Sequence, residues 1–139
     1  MTLQTIDMRF MRYLNLFEKV TRLRTKTCFS YNNTLFYAVP LSFISRAIGQ
    51  NGENIRQISS IVQKRVKIVV LPKDEKDLRK FISEIISPVT FKDLKVENDD
   101  VIITGNMQSR ASLIGRDKVR LEELSKIVKD FFGKNLKIM

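Results

Sequence analysis

Phe10, Tyr13, Leu14, Phe17 and Val20 recur at spacings of three and four, with Arg9, Arg12, Glu18 and Lys19 between them, so the pattern predicts an amphipathic helix over Thr5 to Val20. Thr27 to Val39 is instead rich in aromatic and β-branched residues on either side of Asn32-Asn33, a pair that tolerates the positive φ of a tight turn, which predicts a β-hairpin. Pro40 breaks the second strand. Leu41 to Ile48 then reads as a short helix, and Glu53 to Gln63 as a second helix whose apolar face is Ile55, Ile58, Ile61 and Val62. Between these helices lies Gly49-Gln50-Asn51-Gly52, and Val66 to Leu71 closes the half as a β-branched strand before Pro72. The order is αββααβ.

After Pro72 the order begins again. Asp74 is placed to cap a helix through about Ile86 whose face carries Leu78, Phe81, Ile82 and Ile85, and Pro88 ends it. Strands are predicted over Val89 to Val96 and Val101 to Thr104, around the turn-prone Asn98-Asp99-Asp100. A short helix from Met107 to Ile114, a longer one to about Phe132 and a final strand over Leu136 to Met139 complete the second pass. At an offset of 66, Ile48-Gly49 falls on Ile114-Gly115, while Ile55, Ile58, Ile61 and Val62 fall on Leu121, Leu124, Ile127 and Val128. With four more residues in the intervening loop, Val66 to Val69 falls on Leu136 to Met139. The expected organisation is therefore two tandem modules of α+β class, residues 1–71 and 72–139.

Composition narrows what such a chain does. With 139 residues, 43% of them hydrophobic, there is room for one ordinary domain or two very small ones. There is no His and no Trp, and Cys28 is the single cysteine, so the residue types most used for metal ligation, proton shuttling and nucleophilic relays are nearly missing. Neither an enzyme nor a cofactor-dependent protein is expected, and no small-molecule substrate. Asp99-Asp100 sits at a turn where Asp is favoured for backbone reasons, and neither glycine tetrad continues into a phosphate-binding P-loop. A lone cysteine without an intrachain partner fits a reducing compartment, and Met1 to Phe10 gives neither a signal-peptide core nor a membrane span, so a cytoplasmic protein with no membrane partner is expected. Asn32-Asn33-Thr34 matches a glycosylation sequon but is read as the turn.

Charge then names the partner class. Lys plus Arg number 25 against 15 Asp plus Glu, a net charge of +10, which makes a polyanion the first hypothesis. Residues 1–70 hold 11 basic and 3 acidic residues and residues 71–139 hold 14 and 12, so the halves carry +8 and +2 and the first should dominate long-range attraction. In Gly49-Gln50-Asn51-Gly52 two missing β-carbons let another backbone come close just where a helix starts. The unpaired N–H groups of that helix start, with the positive end of its dipole, make a phosphate site that needs no lysine. Flanking Ile48 and Ile55, the helix on each side and the second copy downstream point to RNA or single-strand binding.

Ile48-Gly49-Gln50-Asn51-Gly52-Glu53-Asn54-Ile55 resembles the signature loop of the KH domain, and αββααβ resembles its prokaryotic, type II topology, with mixed three-stranded sheets covered by helices. Two such modules preceded by a helix such as Ile6 to Glu18 are most similar to the short archaeal members of the NusA family of transcription factors. That resemblance implies binding of nascent single-stranded RNA and an influence on elongation or termination by RNA polymerase, the second expected partner. A role in ribosome assembly or RNA processing, and an adaptor that docks on polymerase or ribosome while binding RNA weakly, stay open as alternatives. It also implies residue roles, since KH modules clamp about four nucleotides with the glycine loop on the sugar-phosphate side and an apolar groove under the bases. Gly49 and Gly52 would admit the RNA backbone, Gln50 and Asn51 would face phosphates, Ile48 and Ile55 would help floor the groove, and Arg46, Arg56 and Lys67 would flank it. The second loop, Gly115-Arg116-Asp117-Lys118, has two cations but a lysine in place of the last glycine, so Arg116, Lys118 and Arg120 are expected to touch phosphate through side chains rather than through tight backbone contact.

Overall fold

A computed structural model describes residues 8–139. The chain is α+β: α1 (Met8–Thr21), β1 (Cys28–Tyr31), β2 (Thr34–Val39), α2 (Ile44–Ile48), α3 (Glu53–Val62), β3 (Arg65–Val70), α4 (Leu78–Ile86), β4 (Asp93–Glu97), β5 (Asp100–Thr104), α5 (Met107–Ile114), α6 (Val119–Phe132) and β6 (Asn135–Ile138). Of the first expected helix, Thr5 to Asp7 lie outside the described residues. The described chain divides into two compact units, one ending at Leu71 and the other running Pro72–Met139.

In the first unit the sheet order is β1-β2-β3, with β1 antiparallel and β3 parallel to the central β2. Asn32 and Asn33 both hold positive φ, 50° and 58°, the turn that matches the twist of a hairpin. Because β2 and β3 run in parallel, the chain must cross over between them, and α2, the glycine loop and α3 are that crossover. Leu35, Tyr37 and Val39 of β2 join Val66 of β3, Ala47, Ile58 and Phe17 in one buried core. Phe17 stacks on Tyr37 with ring centroids 4.5 Å apart, and the Tyr37 hydroxyl donates to the Tyr13 carbonyl at 2.8 Å. Burial, with smaller effects of Cys28 and Tyr13, pushes the Tyr37 phenol far above its ordinary range, so it stays neutral and α1 stays tied to the sheet.

The second unit repeats the plan with order β4-β5-β6, β5–β6 parallel, and α5, a loop and α6 as crossover. Val101, Ile103, Leu113, Leu124 and Val128 are fully buried, and Phe81 of α4 packs its ring on Phe131 of α6 at 4.7 Å.

Three local readings change. The strand expected from Val89 begins only at Asp93, because the Val89 N–H bonds back to the Ile86 carbonyl at 2.9 Å and Phe91 lies under the Arg79 guanidinium at 5.3 Å. Asp74 caps through Oδ1, which accepts from the Lys76 amide at 2.9 Å, but the first turn is a tight 3-10 turn and α4 proper starts at Leu78. Ile61, expected on the apolar face, is 56% exposed: Ile55, Ile58 and Val62 form the stripe, and Ile61 lies about a quarter-turn off its centre.

Candidate nucleic-acid interface

The crossover places Gly49 to Gly52 between the end of α2 and the start of α3, tethered by Gly49 N–H to the Ser45 carbonyl at 3.0 Å and Gly52 N–H to the Gly49 carbonyl at 3.1 Å. Gly49 lies at φ 81°, ψ 168°, a region open essentially to glycine alone. A β-carbon there would stand 2.9 Å from Asn54 Cγ and Nδ2. Asn54 cannot yield easily, because its Nδ2 donates to the Arg46 carbonyl at 3.1 Å and so braces α2 against α3. Asn51 and Gly52 both take left-handed conformations, φ 56° and 74°. Around Gly52 a β-carbon would meet only Arg56 Nη1, at 3.4 Å. The Arg56 guanidinium donates to the Asn51 carbonyl and so clasps the loop from below.

Gln50 and Asn51 are exposed at the tip. No side chain caps the start of α3, and its first amide, that of Glu53, bonds back to the Gln50 carbonyl, so an incoming anion would meet the amides that follow it in the first turn. Arg46 sits one turn before the loop with its guanidinium 5.7 Å from the Phe43 ring, while Ile48 and Ile55 are half-buried on either side. Lys67 is not brought to this cluster: Val66 and Ile68 point into the helix-covered core, and the alternation of β3 turns Lys67 to the other face of the sheet.

The second loop has the same backbone. Gly115 holds φ 74°, ψ 174°, Asp117 and Lys118 repeat the left-handed pair at 54° and 62°, and the tethers recur as Gly115 N–H to Ala111 O at 2.9 Å and Lys118 N–H to Gly115 O at 3.2 Å. Lysine in place of the second glycine therefore leaves the chain path unchanged. Gly115 is held as Gly49 is, since a β-carbon would come within 2.6 Å of Arg120 Cγ. Arg120 is committed to Glu123 at 2.6 Å, which occupies its charge, whereas Arg116 and Lys118 are exposed. Neither does a side chain cap α6.

Ion pairing sharpens the imbalance of charge. Among the described residues the first unit pairs Arg24 with Glu18 at 2.7 Å, and Arg46 and Lys67 form no ion pair. The second unit pairs Arg79 with Asp93, Arg120 with Glu123, Lys134 with Glu75 and Lys137 with Asp100. The hydrogen bond from Lys137 holds the Asp100 carboxyl below the usual carboxylate range.

Two residues that the sequence reading passed over stand out. Leu41 and Met107 are 68% and 78% exposed, and they occupy equivalent positions, 66 apart, seven residues before Ile48 and Ile114. The repeat register itself was the signal that would have singled them out. Phe36 and Tyr37, on the central strand, are buried and offer no ring face to a base. Among the described residues no group of three or more His, Cys, Asp or Glu is placed to hold a metal, and no helix is long and apolar enough to cross a membrane.

With the loop geometry established, comparison with known proteins shows what the chain resembles. It is 26% identical over 131 residues to the probable transcription termination protein NusA of Methanococcus vannielii, covering 91% of this chain and 74% of that protein. It is 28% identical over 120 residues to the protein of the same name from Methanocaldococcus jannaschii, covering 84% and 64% respectively. The chain is therefore similar to archaeal proteins named NusA. The crystal structure of APE1850 shares the fold with a TM-score of 0.63 at 20% identity, over 96% of this chain and 100% of that one. No family model matches the chain.

Proposed function

We propose that this chain is a single-stranded RNA-binding protein made of two tandem type II KH modules, acting as archaeal NusA proteins are named to act, on nascent RNA in transcription termination. The observation that carries the reading is the loop between α2 and α3, with a glycine-only first position, an exposed neutral tip and an uncapped helix start, repeated in backbone form at residues 115–118. Such a loop accepts a sugar-phosphate backbone through amides, while the half-buried Ile48 and Ile55 give bases an apolar surface. In this reading the phosphates position the strand and groove width and base edges select it, so sequence preference is short. Nothing in the site does bond chemistry: the protein is a binder rather than an enzyme, it works in the cytoplasm, and RNA polymerase is its protein partner.

Competition binding tests the clamp. Single-stranded RNA should be preferred over duplex, and contact with three or four phosphates should give a log–log salt slope of about −2 to −3, at about −0.7 per phosphate. A duplex preference or a salt-independent affinity refutes it.

A further inference from the structure

At the far end of α3 from the glycine loop lies a concavity of about 620 Å³, lined by Asn32, Asn33, Ser60, Gln63, Lys64 and Arg65 together with Ser59. Every lining residue is polar, two are cationic and none is acidic. The concavity is formed by the β1–β2 turn and the α3–β3 connection, both fixed in unusual backbone: Asn32, Asn33 and Gln63 have positive φ. The Ser59 hydroxyl donates to the Lys64 carbonyl, and Gln63 Nε2 donates to the Ser60 carbonyl at 3.0 Å, so the connection is braced from within.

The charge there is uncompensated. The described carboxylates of the first unit are Glu18, which is paired with Arg24, and Glu53, which starts α3 at its opposite end. Among the described residues Lys64 and Arg65 form no ion pair. The C-terminus of α3 carries about half a negative charge, which two full positive charges outweigh.

We infer that this concavity is a second phosphate-binding site, which holds the backbone of the same RNA strand beyond the stretch clamped at the glycine loop. The inference rests on the proposed single-strand reading. The site lies about 15 Å from the loop, the length of the ten-residue α3 at 1.5 Å per residue, so a tetranucleotide centred on the loop, with only half its length on either side, falls short of it while a longer strand reaches it. Cations and amide donors around a polar hollow suit phosphate and ribose oxygens, and there is no aromatic or apolar wall to read a base. The site therefore adds affinity without sequence preference, and its occupant is a strand longer than one loop can hold.

The experiment compares a tetranucleotide with an oligonucleotide of about ten residues, on the intact chain and on a Lys64→Glu, Arg65→Glu variant. With two added phosphate contacts the longer strand should show a salt slope steeper by about 1.4. Between 50 and 200 mM salt its affinity should then fall about sevenfold more in the parent than in the variant. Tetranucleotide affinity should be the same in both. Equal salt slopes for the long strand in parent and variant overturn the inference. Failure of the tetranucleotide to bind either protein would instead refute the loop reading. Asn33→Asp, at a turn position that accepts Asp, is the second variant: it places a carboxylate in the hollow and should weaken the long strand selectively, and no change with it also counts against the site.

Discussion

Gly49 meets two demands at once, a backbone conformation closed to other residues and a neighbour, Asn54, that stands where a β-carbon would go. Gly52 meets only the first, and in the milder left-handed form. Replacing Gly49 by Ala should therefore cost about 1–3 kcal/mol for the backbone alone, and more for the displaced Asn54, whereas Gly52→Ala should cost about 1–2 kcal/mol. Urea denaturation midpoints of the two variants check this, and an equal loss in both would refute it. The same logic explains the second loop, where the first glycine is kept at Gly115 and the second is the lysine at 118. At the loop tip, Gln50→Asp together with Asn51→Asp should remove most RNA affinity while circular dichroism stays normal, because two carboxylates meet the phosphate path and a helix start tolerates Asp. Undiminished affinity in a folded variant would move the site elsewhere.

Among the elements, the two crossovers have the same backbone and differ in side chains and in charge. Gly52→Asp is expected to cost more RNA affinity than Arg116→Asp, since the first loop lies in the unit with +8 of the net charge, while the second unit carries only +2 and pairs Arg79, Arg120, Lys134 and Lys137 internally. Parallel titrations of the two folded variants decide between the units, and a larger loss from Arg116→Asp would make the second the principal reader. Lys118→Gly relieves a left-handed lysine without altering the path, so tighter RNA binding by that variant is expected if the fourth side chain is what obstructs backbone contact. Helix α1 depends on one contact above others: Phe17, fully buried and stacked on Tyr37, should cost about 3–5 kcal/mol when replaced by Ala, seen as an earlier denaturation midpoint.

For the whole molecule, the order of elements and the 66-residue repeat were legible in the sequence, because a helix announces its buried face every three to four residues and a strand by β-branched runs between turn residues. The glycine loop was legible for a related reason: glycine and asparagine are the residues that positive φ selects, so Gly49, Asn51 and Gly52 advertise their backbone. Charge balance was equally open to reading, since it is a count. The sequence by itself thus determined the α+β plan, the loop and the sign and lopsidedness of its field. Tertiary structure alone decided who stands beside whom. Strand alternation, set by which face of β3 meets the helices, took Lys67 away from the loop; packing of Arg120 on Gly115 committed its charge to Glu123; and exposure of Leu41, Met107 and Ile61 depended on neighbours supplied from elsewhere in the chain. Periodicity records where a side chain points along its own element, and contact between elements is a property of the folded whole.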